Sequence, residues 1–326
     1  MFARETFMYS VVLSQYHKLY QKYTLTEYIA PKCYYVCRDP GREVLVMRDM
    51  RFEGYQPFLN SMFVDYDHMV VALESLAQFH AYSFIMKELE KSTYDEAIKV
   101  CQPVSRETHG RFLQVLQDRL DKALLKFEAT KYVPVLENLK KNCAIFIEDF
   151  SKTDRTCICH GDLWKENILF KYKDNVPTSA CLIDYQNACV ACPAFDVLYL
   201  IASSTDTALR KTHFRHMLDI YYDKFSSSLI EAKLDPNKLY PQTSLYSDLQ
   251  VVGPACFIIA NTALWLASGL QEDGHVRSMR VWNTAEEKAM ALKSYKCLIK
   301  TLIDDFYSYG YLCMCGKSGC MHKPTS

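Results

Sequence analysis

The sequence has no excess of charge of either sign and no low-complexity stretch or internal repeat. Lys plus Arg and Asp plus Glu each total 38 of 326 residues, so the formal net charge is zero. A nucleic-acid-binding domain is usually marked by a strongly basic surface, so we expect no nucleic-acid partner. Hydrophobic residues make up 49% and charged residues 23% of the chain, which is typical of a globular protein.

Signals for secretion are also missing from the sequence. The first ten residues, MFARETFMYS, contain Arg4 and Glu5 and have no apolar core of a signal peptide. No Asn-x-Ser/Thr glycosylation acceptor occurs. We therefore expect a cytoplasmic protein whose 14 cysteines are reduced, most of them as small buried residues.

One long uncharged run needs a separate interpretation. Residues 249–271 carry no charged side chain and are long enough to span a bilayer. Pro254, Asn261 and Ser268 interrupt the run, and polar groups are costly in lipid. We therefore predict a buried helix and no membrane partner.

The hydrophobic pattern predicts an α+β fold. Residues 2–20 have a helical pattern, and residues 33–37 and 43–49 form a predicted hairpin around Asp39-Pro40-Gly41. Residues 65–90 have apolar side chains at helical spacing, which predicts an amphipathic helix with His80 as a satisfied core residue. Beyond a junction at residues 50–64, the rest is mostly helical, with helices predicted at about 106–128, 132–150, 195–203, 208–230, 255–270 and 284–309 and strands at 156–159, 168–172 and 180–184.

The most specific stretch is ICHGDLWKENILF, residues 158–170. It contains His160-x-Asp162-x4-Asn167, and Asp184 follows at a strand end. Phosphoryl transfer needs a carboxylate that orients the attacking hydroxyl and two oxygen ligands for Mg²⁺. Asp162 would be the catalytic carboxylate, Asn167 and Asp184 the magnesium ligands, and His160 a brace for the loop. The alternative is a polar turn in which Asp162 caps a local helix and Asp184 begins a loop.

These motifs resemble the ecdysteroid-kinase-like family of insects and some other invertebrates. The resemblance rests on CHGDLW and NILF within residues 159–170, on LIDYQ (182–186) and on PAFDVLYL (193–200). FARETFMY (2–9), VLVMRDM (44–50), LESLAQFHA (73–81) and YSYGYL (307–312) extend it to about residues 1–311. The family is grouped with choline kinases and aminoglycoside phosphotransferases, which implies a bilobal protein-kinase-like fold.

The resemblance implies roles for further residues. Glu5 on the first helix would pair with a phosphate-binding lysine. Asp196 would brace the catalytic loop, although a carboxylate in the first turn of a helix is also favoured by the helix dipole. The resemblance also implies a hinge whose backbone would meet the adenine of ATP. This hinge would be formed by Val46, Met47, Arg48 and Asp49.

The sequence departs from the family pattern at its start. In such kinases a phosphate-covering hairpin and a lysine-bearing strand precede the first helix, and only four residues precede Glu5 here. We therefore expect residues 1–50 to be the remnant of an N-terminal lobe, in a truncated or naturally short form. Residues 51–311 would form the C-terminal catalytic lobe and residues 312–326 a Cys-rich tail. Arg48 also replaces an acidic residue that is common at the hinge.

The tail offers a possible zinc site that the resemblance does not cover. Cys313, Cys315, Cys320 and His322 could close on Zn²⁺, but a disordered thiol-rich tail is the interpretation favoured by the spacing. The stretch CGKSG (315–319) is not a P-loop, because five residues rather than four separate Gly310 from Gly316.

The leading functional hypothesis is an ATP- and Mg²⁺-dependent phosphotransferase. It would act on the hydroxyl of a small molecule, either an ecdysteroid-like or a xenobiotic alcohol. The alternative is a non-catalytic pseudokinase or binding protein. A protein kinase is disfavoured because Tyr185-Gln186 rather than Phe-Gly follows Asp184, and no Ala-Pro-Glu motif occurs. The acceptor and the oligomeric state do not follow from the sequence.

Overall fold

A computed structural model describes residues 2–270 and 284–314 of the chain. The helices are α1 (Phe2–Phe7), α2 (Leu13–Tyr23), α3 (Tyr66–Leu89), α4 (Lys91–Val100), α5 (Arg106–Lys126), α6 (Val133–Lys141), α7 (Cys143–Asp149), α8 (Pro193–Ser204), α9 (Thr207–Glu231), α10 (Pro236–Leu239), α11 (Gln242–Ala267) and α12 (Ala285–Ser308). The strands are β1 (Cys33–Cys37), β2 (Val44–Met47), β3 (Tyr55–Pro57), β4 (Cys157–Cys159), β5 (Ile168–Lys173), β6 (Val176–Leu182) and β7 (Cys189–Ala191). This element content confirms the predicted α+β class.

Helix α3 forms the centre of the fold. It begins at Asp65, whose side chain accepts a hydrogen bond from the backbone N–H of His68 at 3.1 Å, as an N-cap residue does. The helix packs most extensively against α9 and also contacts β4 and β6. The predicted helix is confirmed, but its predicted amphipathic character is wrong. The side chains of Gln78 and Tyr82 are buried too. Each donates a hydrogen bond to the carbonyl oxygen of Thr26, at 2.7 and 2.8 Å, so their polar groups are satisfied in the interior.

The described residues also form three small antiparallel sheets, and those that contain β4 and β6 contact α3. The hairpin of β1 and β2 confirms the prediction for residues 33–49. A second sheet has the order β3-β5-β6, and a third pairs β4 with β7. The sequence did not predict β3 or β7, since each is three residues long and is defined by its pairing partner rather than by its own periodicity. The loop between β4 and β5 contains the His-Gly-Asp motif.

The buried helix α8 packs on α11 at the back of this loop. Pro193 occupies the first turn of α8. Proline is tolerated there because the N–H groups of a first helical turn make no hydrogen bond within the helix. The predicted helix at 255–270 actually begins at Gln242, because Gly253 and Pro254 continue the helix instead of ending it. The stretch predicted as one helix over 132–150 is α6 and α7, which are separated at Asn142 by a non-helical backbone conformation.

The first predicted helix contains an unusual turn. Residues Met8–Val12 between α1 and α2 form a π-helix, a rare conformation that is frequent at functional sites. Its residues Met8, Tyr9 and Val12 are buried in the core. The prediction of a helix over residues 2–20 is thus confirmed with a local change of pitch.

Two helical segments, Tyr66–Leu89 and Pro236–Ala267, are long and apolar enough to cross a membrane by length and composition. The protein buries 89% and 72% of their respective apolar windows. Such burial is typical of core helices, and the absence of a membrane partner stays a prediction.

Several predictions about the ends of the chain concern residues outside the described part. Cys315, Cys320, His322 and the CGKSG stretch fall there, so the zinc hypothesis for the tail stays a prediction. Cys313 is described and half-buried. The proposed division at residues 50 and 311 also stays a prediction.

A close approach between α11 and the segment after α12 leads to a stability prediction. A Cβ added at Gly253 would lie 2.7 Å from Cβ of Tyr311 and 3.0 Å from its carbonyl oxygen. Gly253→Ala should therefore lower the free energy of unfolding by about 1–3 kcal/mol. Gly110→Ala is the matched control, because Gly110 is an exposed helical residue with nothing within 4 Å of the added Cβ.

The control should be neutral or stabilising by up to about 1 kcal/mol, since alanine is the better helix former. Thermal or denaturant unfolding of the two variants measures the difference. Equal stability of the two variants would show that the contact with Tyr311 does not constrain position 253.

Candidate active site

The His160-Gly161-Asp162 loop follows β4 directly and has a tightly constrained backbone. Gly161 has φ of +80°, and a Cβ at this position would lie 2.1 Å from the carbonyl oxygen of Asn187. Only glycine meets both requirements without moving the backbone. The loop is thereby held against the segment that follows Asp184.

The carboxylate of Asp196 on α8 holds this loop from behind. Its Oδ2 accepts hydrogen bonds from the backbone N–H of His160 at 2.6 Å and from Nε2 of His80 at 3.1 Å. Its Oδ1 accepts from the backbone N–H of Gly161 at 3.0 Å. Nδ1 of His80 contacts the Tyr221 hydroxyl at 2.8 Å, so both ring nitrogens of this buried histidine have partners.

Burial by itself would raise the pKa of Asp196, because desolvation penalises its charged form. The hydrogen bond from His80, the charges of His80 and His160 and the N–H of Gly161 outweigh burial and hold the pKa below its usual value. The carboxylate is therefore ionised at neutral pH. Its contacts are those expected of a loop brace, and its role in a reaction stays a prediction.

His160 is buried and joins the loop to the end of β6. Its Nε2 donates to the carbonyl oxygen of Ile183 at 2.9 Å. Its ring lies 4.8 Å from the ring of Tyr185, measured between centroids. The side chain thus links the loop to both neighbours of Asp184 and does not itself reach the cavity described below.

Asp162 receives two side-chain hydrogen bonds. The Tyr199 hydroxyl donates to Oδ1 and Nδ2 of Asn187 donates to Oδ2, each at 3.1 Å. Burial raises the pKa of Asp162, and the charge of Asp184 adds to this effect. The charge of His160 and the two hydrogen bonds oppose it without cancelling it. A carboxylate with a raised pKa is a better proton acceptor than an ordinary one.

Asn167 and Asp184 stand at neighbouring strand ends. The backbone N–H of Ile183 donates to the carbonyl oxygen of Asn167 at 3.0 Å, which places Asn167 beside the residue preceding Asp184. Nδ2 of Asn167 donates to the carbonyl oxygen of Asp162 at 2.8 Å, so its Oδ1 is left as a possible ligand. One oxygen of Asp184 accepts from Gln186 at 3.3 Å.

The N-terminal helix reaches this acidic group. The backbone N–H of Asp184 donates to the Tyr9 hydroxyl at 3.1 Å, and Asp184 itself has a left-handed φ of +67°. Burial and the charge of Asp184 raise the pKa of Glu5. Glu5 has no ion-pair partner within residues 2–270 and 284–314, so the pairing with a lysine that the resemblance implied is not observed there.

The four predicted hinge residues lie at the end of β2 and just after it: Val46, Met47, Arg48 and Asp49. The backbone N–H of Arg48 donates to the carbonyl oxygen of Lys32 at 2.8 Å, and its guanidinium pairs with Glu53. Asp49 caps a short 3-10 turn by accepting from the backbone N–H of Arg51 at 2.9 Å. None of the four lines the cavity that contains Asp162.

That cavity has a volume of about 350 Å³. Asp162, Asn187 and Tyr199 line it together with aromatic and aliphatic side chains from α5, α8, α11 and the residue after α7, among them Phe112, Leu116, Phe150, Phe195 and Leu266. This size and lining are within the range of small-molecule sites. Asp162 is the one acidic residue among the described residues of its lining.

Two polar partners of Asp162 were not predicted from the sequence. Asn187 comes three residues after Asp184, and Tyr199 comes three residues after Asp196, one turn along α8. This spacing from acids already identified in the sequence could have indicated them, since residues three apart on a helix share a face. What they touch depends on the fold, because α8 and the loop are brought together only by packing.

A family model described as "Ecdysteroid kinase-like family" matches residues 1–234, well over half of the chain. The chain belongs to the ecdysteroid kinase-like family. This membership confirms the resemblance recognised in the sequence, and with it the expectation of a kinase-like fold.

Solved kinase structures cover most of the chain at low identity. They include a GDP complex of aminoglycoside 2'-phosphotransferase-IIIa (14% identity, 94% of this chain and 84% of that chain, TM-score 0.39). A Plasmodium vivax ethanolamine kinase has 11% identity over 90% of this chain and 72% of that one, with a TM-score of 0.40. An aminoglycoside phosphotransferase from Alicyclobacillus acidocaldarius has 12% identity over 91% and 81%, with a TM-score of 0.41. The assignment rests on the family match, since all three scores are below 0.5.

A curated relative comes from Caenorhabditis elegans. It is named "Uncharacterized oxidoreductase dhs-27" and is 22% identical over 288 residues. The match covers 82% of this ecdysteroid kinase-like chain and 34% of that protein. The chain thus spans about a third of the length of the curated relative it matches.

The buried carboxylate of Asp196 gives a testable prediction about stability. The Asp196 carboxylate accepts three hydrogen bonds, from the backbone N–H groups of His160 and Gly161 and from His80. Asp196→Asn replaces one carboxylate oxygen by an NH₂ group, which cannot accept them, and removes the charge opposite His80. It should lower the free energy of unfolding at neutral pH by about 3 kcal/mol or more. Asp223→Asn is the matched control, since Asp223 is exposed on α9.

The loss should also depend on pH in a defined direction. Because the folded-state pKa of Asp196 is lowered, its stabilising effect is present above its unfolded pKa of about 3.9 and is lost as pH falls through the folded value. Unfolding measured from pH 7 downward should show the wild-type protein and the variant converging in acid. A pH-independent difference would contradict this assignment.

Proposed function

We propose that this protein transfers the γ-phosphoryl group of ATP to the hydroxyl of a small-molecule alcohol, with Mg²⁺ as cofactor. The observation that carries the proposal is the position of Asp162. Its carboxylate has a raised pKa, is held by Tyr199 and Asn187, and lines an apolar cavity. Asn167 and Asp184 lie at the adjacent strand ends.

The oxygen donors beside Asp162 fit a magnesium ion. Mg²⁺ prefers carboxylate and other hard oxygen ligands and takes few from the protein itself. The side-chain oxygen of Asn167 is left available by the orientation of its amide, and Asp184 supplies a carboxylate. The raised pKa values of Glu5 and Asp162 reflect in part the charge of Asp184, so a cation here would be stabilised. When bound, the ion would neutralise charge on the phosphates.

The proposed transfer requires one proton movement by the protein. The hydroxyl oxygen of the acceptor forms a bond to the γ-phosphorus, and the bond from that phosphorus to the bridging oxygen of ADP breaks. The hydroxyl proton passes to the carboxylate of Asp162, and ADP carries away the electron pair of the broken bond. Tyr199 and Asn187 orient the carboxylate during this step, and Asp196 keeps the loop in place through its backbone.

An apolar cluster beside the predicted hinge is a suitable place for adenine. Met50, Tyr55 and Cys181 are buried together, and Leu169 and Ile183 pack against them. Met50 directly follows the hinge residues, and Ile183 precedes Asp184. An adenine stacked on this cluster would extend its phosphates toward the metal ligands. The resemblance suggests an ecdysteroid-like or a xenobiotic alcohol as the acceptor.

A second candidate function is binding of a nucleotide or ligand without transfer. It is favoured by Glu5, whose pKa is raised by burial and by the charge of Asp184 and which has no ion-pair partner in the described residues. A kinase-like site without such a cation would hold nucleotide phosphates less firmly. Turnover by the 326-residue chain would exclude this alternative.

The first test is calorimetric titration of the purified 326-residue chain with Mg-ATP. We expect binding that Asp184→Asn weakens by at least about tenfold, because one charged metal ligand is lost. Asp174→Asn in the exposed turn between β5 and β6 is the matched control and should bind normally. Absent binding, or equal binding by both variants, would count against the proposed nucleotide site.

The second test separates transfer from binding. Asp162→Asn should bind Mg-ATP as the wild type does but should lose at least about a hundredfold in ADP release driven by an acceptor alcohol. Ecdysone and a set of xenobiotic alcohols are the acceptors to be tried. Unchanged turnover in the variant would remove Asp162 from the mechanism.

A further inference from the structure

The cavity next to Asp162 has a second polar region that the proposed transfer does not use. Arg4 from α1 and His109 from α5 both line it. We call these two side chains the basic corner. The rest of the lining is mainly apolar, with Phe150 and Phe195 stacked on each other at 4.4 Å between ring centroids.

Arg4 is a half-buried cation without a counter-ion in the described part of the chain. Within residues 2–270 and 284–314 it makes no ion pair, and no hydrogen bond of its guanidinium is present. Burial and the charge of Asp184 raise the pKa of the neighbouring acid, Glu5. An arginine that lines a mostly apolar cavity gains most from an anion, since its planar group donates two parallel hydrogen bonds to a carboxylate, sulfate or phosphate.

His109 adds a neutral hydrogen-bond donor beside this cation. Burial and the charge of Arg4 lower its pKa, so the imidazole is neutral at pH 7. Its Nδ1 accepts from the backbone N–H of Ser105 at 3.4 Å and contacts the hydroxyl of Thr108 at 2.6 Å. The ring proton is then on Nε2, which has no partner among the described residues. His109 has non-helical backbone angles at a kink of α5.

The basic corner lies on the cavity, whereas the proposed metal ligands do not. Arg4 and His109 are part of its lining, and Asn167 and Asp184 are not. The basic corner is therefore placed to meet the body of an acceptor and not the phosphoryl group held near Asp184.

We propose that the acceptor is an amphipathic anionic alcohol, with a hydroxyl at Asp162, an apolar body along the aromatic walls and an acidic group bound by Arg4 and His109. This inference rests on the proposed function, because it takes Asp162 as the end of the cavity where the hydroxyl reacts. The basic corner would select against neutral and cationic alcohols of the same size. A cationic alcohol would face an unpaired guanidinium, and a neutral one would leave that guanidinium without a partner.

The test is direct binding in the absence of nucleotide, so that it does not depend on the metal site. The probes are three molecules of equal length that differ only at one end: ω-hydroxydodecanoate, dodecanediol and ω-aminododecanol. Calorimetry with the purified 326-residue chain should rank the acid first by about tenfold or more. The diol should follow, and the amine should bind least.

Variants of Arg4 connect this preference to the basic corner. Arg4→Gln should weaken the acid about tenfold and leave the diol unchanged, while Arg4→Lys should keep most of the preference. Arg111→Gln is the matched control, because Arg111 is an exposed arginine of α5 outside the cavity lining. Thermal unfolding of each variant verifies that the fold is intact.

Each contrary outcome is decisive. Equal binding of the three probes, or no binding of the acid, overturns the proposal even if Mg-ATP still binds in an Asp184-dependent manner. A loss of Mg-ATP affinity in Arg4→Gln with unchanged probe binding would assign Arg4 to the nucleotide instead. Failure of the proposed phosphotransfer would be seen separately. In that case Mg-ATP binding would not depend on Asp184, or turnover would not depend on Asp162, while the acid still binds.

Discussion

The site depends above all on the buried carboxylate of Asp196, which accepts hydrogen bonds from two successive backbone N–H groups. These hydrogen bonds hold His160 and Gly161, and the same carboxylate takes a third from His80. Helix α8, the central helix α3 and the end of β4 thus meet at one charged group. Because the pKa of Asp196 is held low, the carboxylate keeps its charge, and the loop keeps its shape, at neutral pH.

The arrangement in front of this brace is electrostatically unfavourable for the protein alone. Burial and the charge of Asp184 raise the pKa values of both Asp162 and Glu5. Groups that are costly in this way are frequent at functional sites, where the cost is offset by packing elsewhere. A cation bound between the acids would relieve their repulsion, which is why the proposed magnesium ion fits the charges as well as the ligand types.

The N-terminal helix contributes to two sides of the same site. Tyr9 in the π-helical turn contacts the backbone of Asp184, and Arg4 lines the cavity. Burial and the charge of Asp184 raise the pKa of Glu5. Adjacent residues of a helix point in different directions, so one short helix can supply an anion to the metal side and a cation to the acceptor side. The cavity lies between this helix and the large helical region, as small-molecule sites often lie between packed elements.

The sequence by itself determined the order of the chemistry-bearing residues and the local structure around them. The spacing of His160, Asp162, Asn167 and Asp184, the hairpin of β1 and β2 and the long helix α3 all follow from short-range patterns of residue type. Local patterns were sufficient because caps, turns and periodicity act over a few residues. Tertiary structure alone decided that Tyr199 and Asn187 hold Asp162, that Arg4 shares a cavity with His109, and that α3 is buried on its polar side too. Those contacts join residues far apart in the chain, and only packing of whole elements brings their side chains together.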